Sequence, residues 1–121
     1  MAEAARRAAE RRGRRGETLA AAWLRMKGYK ILDQRARTPV GEIDLIAARS
    51  GLLVLVEVKA RPSLDAALGA VPPGAWRRIQ AAADAWIVRR PSYSAWSIRY
   101  DIVAIAPGRL PRHVADAWRP D

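Results

Sequence analysis

The chain has 121 residues, which is enough for one domain with its own core and too few for two. It contains no cysteine, which excludes disulfide bonds and cysteine-based catalysis or zinc binding, and its one histidine excludes a metal site built from several histidines. The formal net charge of +10 predicts attraction to a polyanion, nucleic acid before an anionic membrane surface, through contacts that carry no sequence information.

Residues 1–15 are rich in alanine, arginine and glutamate and lack an apolar stripe, so they predict a basic arm ahead of a single domain over residues 16–121. Two interpretations of the arm stay open: a frayed, solvated segment, or a tail whose Arg14 and Arg15 contact phosphate groups. No apolar segment follows its arginines as in a secretory signal, and no run approaches the roughly 20 apolar residues that span a bilayer. We therefore expect no membrane insertion and a cytoplasmic location.

A helix is predicted over residues 16–27, because Leu19, Trp23 and Met26 recur at helical spacing and a glycine follows as a cap. Glu17 falls in the first turn of this predicted helix, where a carboxylate interacts favourably with the helix dipole. Alternatively, Glu17 points over the sheet toward acidic residues of the strands.

Two strands joined by a tight turn are predicted over residues 41–59, after a first strand over residues 29–37. Alternating apolar and polar residues run through both halves, and Ser50-Gly51 supplies the only turn chemistry between them. A two-residue turn fixes the register and makes residues 42–48 and 53–59 antiparallel neighbours.

The register of this hairpin gathers charged side chains in one patch. It places Asp44 opposite Glu57 and Glu42 opposite Lys59, and strand alternation puts all four side chains on one face. Opposed Cβ atoms lie about 4.5–5.5 Å apart, so the two acids would repel each other unless a cation lay between them. A Mg²⁺-like ion meets that need, because hard cations prefer carboxylate and carbonyl oxygens. The same alternation is also the ordinary signature of a half-exposed strand with no site. The apolar residues predicted on the other face are Ile43, Leu45, Val54, Val56 and Val58.

Residues 60–72 are predicted to be irregular, and a second helix to begin near Pro73 and to stop at Arg90-Pro91. Its tryptophans are interpreted as core residues and not as base-stacking platforms. Arg77 and Arg78 lie off the apolar stripe and either contact phosphate groups or are solvated. The predicted buried stripe is Ile79, Ala82, Ala83, Trp86 and Ile87.

A last strand is predicted over residues 96–105, rich in β-branched and aromatic residues. Asp101 and Arg99 share one of its faces and are expected to pair with each other. The tail at residues 113–118 is predicted to form a short closing helix through its apolar residues. The resulting order of helix, three strands, helix and strand is an α/β arrangement with a mixed sheet.

Three motifs carry a family resemblance: GEIDLIA at residues 41–47, LVEVKAR at 55–61 and RYDIVAI at 99–105. In this order they resemble the YraN-like family of uncharacterised bacterial proteins, over about residues 16–118. That family is itself similar to the restriction-endonuclease-like nucleases, and within them to archaeal Holliday-junction resolvases. The resemblance implies a restriction-endonuclease-like core.

The signature of those nucleases is an acid, a gap, then Glu-x-Lys, and it maps onto Asp44, Glu57 and Lys59, with a helix-borne glutamate matched by Glu17. The resemblance implies that Asp44 and Glu57, together with the Val58 carbonyl, hold Mg²⁺ or Mn²⁺. Lys59 would orient the attacking water or stabilise charge that develops on the phosphate.

Two positions depart from the family pattern. Arg35 stands where the family usually carries asparagine, and Ala75 stands near the place of a common lysine. These departures bear on contacts with substrate more than on metal binding. Glu42 is not required by the signature.

The leading functional hypothesis is a DNA endonuclease acting on branched or otherwise structured DNA, as a homodimer by analogy with the resolvases. The alternatives are a non-catalytic nucleic-acid-binding or repair-accessory module that keeps the fold, and a basic protein that associates with RNA or the ribosome. The residues expected to contact nucleic acid are Arg14, Arg15, Arg61, Arg77 and Arg78.

Overall fold

The computed structural model describes residues 2–120. Its elements are α1 (Ala2–Met26), β1 (Lys30–Thr38), β2 (Gly41–Arg49), β3 (Leu52–Ala60), α2 (Leu64–Leu68), α3 (Pro73–Val88), a 3₁₀ turn (Pro91–Tyr93), β4 (Ser97–Ile105) and β5 (Arg112–Trp118). The five strands form one sheet in the order β1-β2-β3-β4-β5, in which β3 and β4 are parallel and all other neighbours antiparallel. This confirms the predicted mixed α/β fold, and its helix followed by three strands is consistent with the core that the resemblance implies.

Helix α1 is longer than predicted and packs through a different stripe. It begins at Ala2 instead of Gly16, so the basic segment continues the helix and Glu17 lies in its middle, not in its first turn. Ion pairs one turn apart, such as Arg6 with Glu3, stabilise the added turns. The predicted stripe is wrong, since Met26 is 80% exposed.

Three small residues of the buried stripe of α1, Gly16, Ala20 and Ala21, bring the helix close to the sheet. A Cβ added at Gly16 would lie 3.3 Å from the Cβ of Ala60, which leaves room for nothing larger than glycine without a shift. The residues of α1 that are buried are Gly16, Glu17, Ala20, Ala21 and Leu24. The spacing of the larger side chains therefore misidentified the buried face.

The two long helices cover opposite faces of the sheet. On one face, Ala20, Ala21 and Leu24 of α1 pack in a cluster with residues such as Val54. On the other face, α3 contributes Trp76, Ile79, Ala82, Ala83 and Trp86 to a second cluster. Strands β2 and β3 are thus buried on both faces, and the interpretation as half-exposed strands is wrong. The prediction that tryptophans of α3 belong to the core is confirmed.

The predicted turn at Ser50 and Gly51 is confirmed. Both residues have positive φ angles, 48° and 77°, as in the two-residue turns whose twist matches that of a hairpin. The expected register holds from Arg49 opposite Leu52 to Leu45 opposite Val56. Downstream, the segment predicted as irregular contains the short helix α2, whose N-cap Ser63 accepts a hydrogen bond from the next turn.

The tail forms strand β5 and not the predicted helix. Its pairing with β4 supplies partners to Asp101, which is completely buried. His113 Nε2 lies 2.6 Å from Asp101 Oδ2, and the backbone N–H of Asp116 donates to Oδ1 at 2.9 Å. Arg99 donates two further hydrogen bonds, at 2.8 and 2.7 Å, so the predicted Arg99–Asp101 pair is confirmed. Burial alone would raise the pKa of Asp101, but these donors hold it below its ordinary value.

Candidate active site

The hairpin of β2 and β3 opens into a fork at its end away from the turn. Backbone pairing between the two strands stops at Leu45 and Val56. Beyond that point Oδ2 of Asp44 accepts a hydrogen bond from the backbone N–H of Val58, at 2.8 Å. A side chain therefore takes the place of a backbone carbonyl, and the predicted register does not continue into the fork.

Strand β2 changes the face that it presents to the helices as it passes Asp44. Ile43 belongs to the cluster beneath α3, whereas Leu45, two residues later, belongs to the cluster beneath α1. The prediction that these two side chains share a face is therefore wrong. The neighbouring strand is irregular at the same level: Arg35 of β1 lies between the pairs that flank Asp44 and has a φ of 52°, in the left-handed region.

The predicted convergence of Asp44 and Glu57 is confirmed. Glu57 is only 9% exposed, and the two carboxyl groups are close enough to share a hydrogen bond. Burial raises the pKa of Glu57 to about 7, the charge of Asp44 adds to the rise, and Lys59 opposes it. Burial also raises the pKa of Asp44, against the hydrogen bond from Val58. The Nζ atom of Lys59 lies 3.5 Å from Oε2 of Glu57.

Glu17 points toward this fork, as one of the two interpretations of the sequence predicted. It is 9% exposed, and burial raises its pKa while a hydrogen bond from Arg35 lowers it. The charge of Asp44 is close enough to raise the pKa of Glu17 further. The donor is Nε of Arg35, 2.7 Å from Oε2 of Glu17.

Arg35 is the site residue that sequence reasoning missed. The sequence indicated it as a departure from the family pattern that bears on contacts with substrate, but not as one of the site residues. The available signal was its position, since counting along the paired strands places it opposite Asp44.

Glu42 lies near the group without converging on it, and its charge helps to raise the pKa of Asp44 and of Glu17. It is exposed, pairs with Arg37 across the β1–β2 ladder, and has Oε2 3.8 Å from Nε of that arginine. Its predicted position opposite Lys59 is wrong, because the two strands have already separated.

Within residues 2–120, no group of three or more aspartate, glutamate or histidine side chains is arranged to hold a metal ion. Two carboxylates, Asp44 and Glu57, converge, and burial is the largest cause of the raised pKa of each, with the charge of Asp44 adding to the rise at Glu57. Because Val58 donates its N–H toward Asp44, its carbonyl lies on the same side of the strand. Two carboxylates and one carbonyl suit a hard cation such as Mg²⁺, which usually keeps several waters.

The arginines predicted to contact nucleic acid fall on two sides of the molecule. Arg15 and Arg61 line a groove of 1120 Å³ between α1 and the segment that follows β4, where Arg12 and Arg109 join them. Arg14 is exposed on α1 outside this lining. Two further predicted contacts, Arg77 and Arg78, are exposed on α3, over the opposite face of the sheet.

The arginine groove borders the fork. Gly16 and Ala60 line it, and they are the chain neighbours of Glu17 and Lys59. Its floor is largely apolar, so the arginines stand at the rim of an apolar depression. Part of the basic charge of the sequence is thus concentrated along one groove.

Comparison with known proteins places the chain among close relatives. A family model described as "Uncharacterised protein family UPF0102" matches residues 16–105. A UPF0102 protein of Chelativorans sp. (strain BNC1) is 55% identical over 117 residues, covering 97% of this chain and 94% of the relative. A UPF0102 protein of Mesorhizobium japonicum is 55% identical over 115 residues, covering 95% and 92% of the two chains. A UPF0102 protein of Paramagnetospirillum magneticum is 47% identical over 121 residues, covering 97% and 94%.

Proposed function

The chain belongs to the uncharacterised protein family UPF0102, as its resemblance to the YraN-like family predicted, and we propose that it is a divalent-metal-dependent DNA endonuclease. One observation carries the proposal: the buried carboxylate of Glu57 and the half-buried carboxylate of Asp44 meet at a fork between strands, with an ammonium 3.5 Å from Glu57. Burying two acids together is unfavourable without a counter-charge, so a purely structural role leaves their position unexplained.

Asp44 and Glu57 would hold Mg²⁺ or Mn²⁺, with the Val58 carbonyl as a third oxygen. When bound, the cation would polarise the phosphate and lower the pKa of a water beside it. Since the pKa of Glu57 is about 7, the carboxyl pair retains a proton near neutral pH, and metal binding would release it. We therefore expect metal affinity to increase as pH rises through 7.

Lys59 would act on the reacting groups and not on the metal. Its side chain is 25% exposed, so its ammonium has access both to Glu57 and to a ligand in the fork. There it would orient the attacking water or stabilise negative charge that develops on the phosphate. A lysine in this position acts mainly on the transition state, so its loss lowers the cleavage rate more than the affinity for substrate.

DNA is the proposed substrate because the arginine groove borders the fork. Guanidinium groups bind phosphate oxygens and do not contact the bases, so they would position a DNA strand independently of its sequence. The shape of the DNA would then determine where it is cleaved. Branched or otherwise structured DNA, cut by a homodimer, is the specific form of the proposal. RNA is the alternative polyanion.

The test is a cleavage assay with linear, nicked, flapped and four-way DNA, and with a four-way RNA, in Mg²⁺, Mn²⁺ or EDTA. We expect Asp44→Asn and Glu57→Gln to lose both metal binding and cleavage. Lys59→Met should keep metal binding and lose cleavage. Glu42→Gln is the matched control, since it removes a nearby but exposed acid and should cleave like the parent. Equal cleavage by the parent and Asp44→Asn would assign the activity to a contaminant or another site.

The pairing of Glu17 with Arg35 favours a second function, because it leaves two acids, Asp44 and Glu57, to hold a metal ion instead of three. A non-catalytic nucleic-acid-binding module would keep the fold and the arginine groove without hydrolysis. It predicts salt-sensitive DNA binding by the parent, no cleavage of any substrate, and no effect of Asp44→Asn on binding. Light scattering of the complex with four-way DNA would report whether two copies bind.

A further inference from the structure

The ion pair between Arg35 and Glu17 stands at the edge of the fork. The Nε atom of Arg35 lies 2.7 Å from Oε2 of Glu17, and the two side chains are 33% and 12% exposed. Resting on the nuclease function proposed for this site, we propose that Arg35 binds the phosphate to be cleaved. Glu17 then positions that arginine and does not bind the metal.

The backbone of Arg35 indicates that its place is imposed by the surroundings. Its φ of 52° lies in the left-handed region, which is uncommon for residues other than glycine, asparagine and aspartate. Such conformations persist where the rest of the structure fixes them, and they are enriched at functional sites. Here the effect is to place Arg35 opposite Asp44 and beneath α1.

The guanidinium of Arg35 keeps its best phosphate-binding groups available. Of its five N–H bonds, the one on Nε is used for Glu17, and its terminal nitrogens have no other hydrogen-bond partner within residues 2–120. Fixing Nε holds the plane of the guanidinium, and the two terminal amino groups can then bind two oxygens of one phosphate. A pre-positioned arginine is worth more to catalysis than a freely rotating one, because its orientation does not have to be found at each turnover.

Charge balance separates Glu17 from the other two acids. The carboxylate of Glu17 already has a guanidinium at hydrogen-bonding distance. Asp44 and Glu57 repel each other, with Lys59 near both and the charge of Arg35 close enough to Asp44 to interact with it. A divalent cation therefore gains most from Asp44 and Glu57. Recruiting Glu17 as well would require breaking its bond to Arg35.

The first test measures Mn²⁺ binding without DNA, by electron paramagnetic resonance of the free ion. Glu17→Gln should bind Mn²⁺ within about twofold of the parent, and Arg35→Asn equally or more tightly, because it removes a nearby positive charge. Asp44→Asn should bind at least about tenfold more weakly. If Glu17→Gln lost as much Mn²⁺ affinity as Asp44→Asn, Glu17 would be a metal ligand and the inference would be wrong.

The second test measures the phosphate contact. The binding assay uses Ca²⁺, so that no DNA is cleaved, and there Arg35→Asn should weaken binding of a nicked DNA. The cleavage assay uses Mg²⁺, and there Arg35→Asn should reduce kcat about 10²–10³-fold, the usual effect of removing one such donor. Arg35→Lys keeps the positive charge but lacks the two terminal amino groups of the guanidinium. It should therefore recover part of the DNA affinity and little of the cleavage rate. Arg37→Ala is the matched control, on the same strand but with a side chain that is 82% exposed.

Asparagine is chosen at position 35 because it tolerates a positive φ, and a urea titration confirms that each variant is folded. Equal DNA affinity and rate for Arg35→Asn and Arg37→Ala would overturn the phosphate contact. If the parent bound Mn²⁺ and DNA but cleaved nothing, the nuclease proposal would fail. The Mn²⁺ and DNA affinities would still decide the roles of Glu17 and Arg35.

Discussion

Replacing Glu57 by glutamine should stabilise the metal-free protein at alkaline pH. Burial, and then the charge of Asp44, raise the pKa of Glu57 from an ordinary 4.5 to about 7. Each tenfold change in acid dissociation is worth about 1.4 kcal/mol, so keeping Glu57 ionised in the folded state costs about 3 kcal/mol. Glutamine has the same shape and no charge, and it removes this cost. The free energy of unfolding at pH 8 should therefore rise by about 3 kcal/mol.

The sign of the pH dependence follows from proton binding. Between pH 4.5 and about 7 the folded protein holds the Glu57 proton more tightly than the unfolded chain, so the stability of the parent falls as pH rises. The advantage of Glu57→Gln should thus be near its full value at pH 8 and below about 1 kcal/mol at pH 5.

Urea unfolding in EDTA at both pH values measures this difference. Glu10→Gln is the control, because its side chain is exposed on α1 and its loss should change the stability by less than about 0.5 kcal/mol. Adding Mg²⁺ at pH 8 should stabilise the parent and leave Glu57→Gln unchanged, since only the parent keeps both carboxylates. A Glu57→Gln protein that is no more stable than the parent at pH 8, or equally improved at pH 5, would refute the reasoning.

Three further predictions concern other parts of the molecule. Asp101→Ala should lower the free energy of unfolding by about 3 kcal/mol, because it leaves a guanidinium and a backbone N–H without their buried acceptor; a loss below about 1 kcal/mol in urea would contradict this. Gly51→Val should cost more than about 1 kcal/mol in the same titration, since a β-branched residue is strained at a φ of 77°; an unchanged midpoint would count against the turn. In fluorescence anisotropy with labelled DNA, Arg15→Ala and Arg61→Ala should each reduce the slope of log K against log salt by about 1, and Arg78→Ala should not. An equal reduction for Arg78→Ala would spread the binding surface over both faces of the sheet.

The hairpin was predictable from the sequence as far as local chemistry controls it. Ser50 and Gly51 define the turn, and alternation then fixes the register through Leu45. The fork beyond Leu45 was not predictable, because a side chain of Asp44 replaces a backbone acceptor there. The change of face at Asp44 lies opposite the left-handed conformation of Arg35 on the neighbouring strand, which the sequence does not indicate either.

The errors in α1 and β5 have a common cause, which is that tertiary partners decide between locally acceptable structures. The apolar spacing of α1 indicated a stripe through Met26, but the close approach of the helix at Gly16 selects small residues for the buried face. The spacing of the tail allowed a helix, but the buried Asp101 needs donors, and a strand carrying His113 and Asp116 supplies them.

The position of β5 also sets the limit of the folding unit. The part of the chain that the family model matches stops at residue 105, the last residue of β4. A chain shortened to that point would keep Arg99 beside Asp101 but lose the partners His113 and Asp116. Strand β4 would become an exposed edge of the sheet, with a row of unpaired backbone groups. Such edges recruit strands from other molecules, so the shortened chain should aggregate instead of folding alone. The seven residues of β5 are therefore as much a part of the smallest autonomous domain as the carboxylates of the fork.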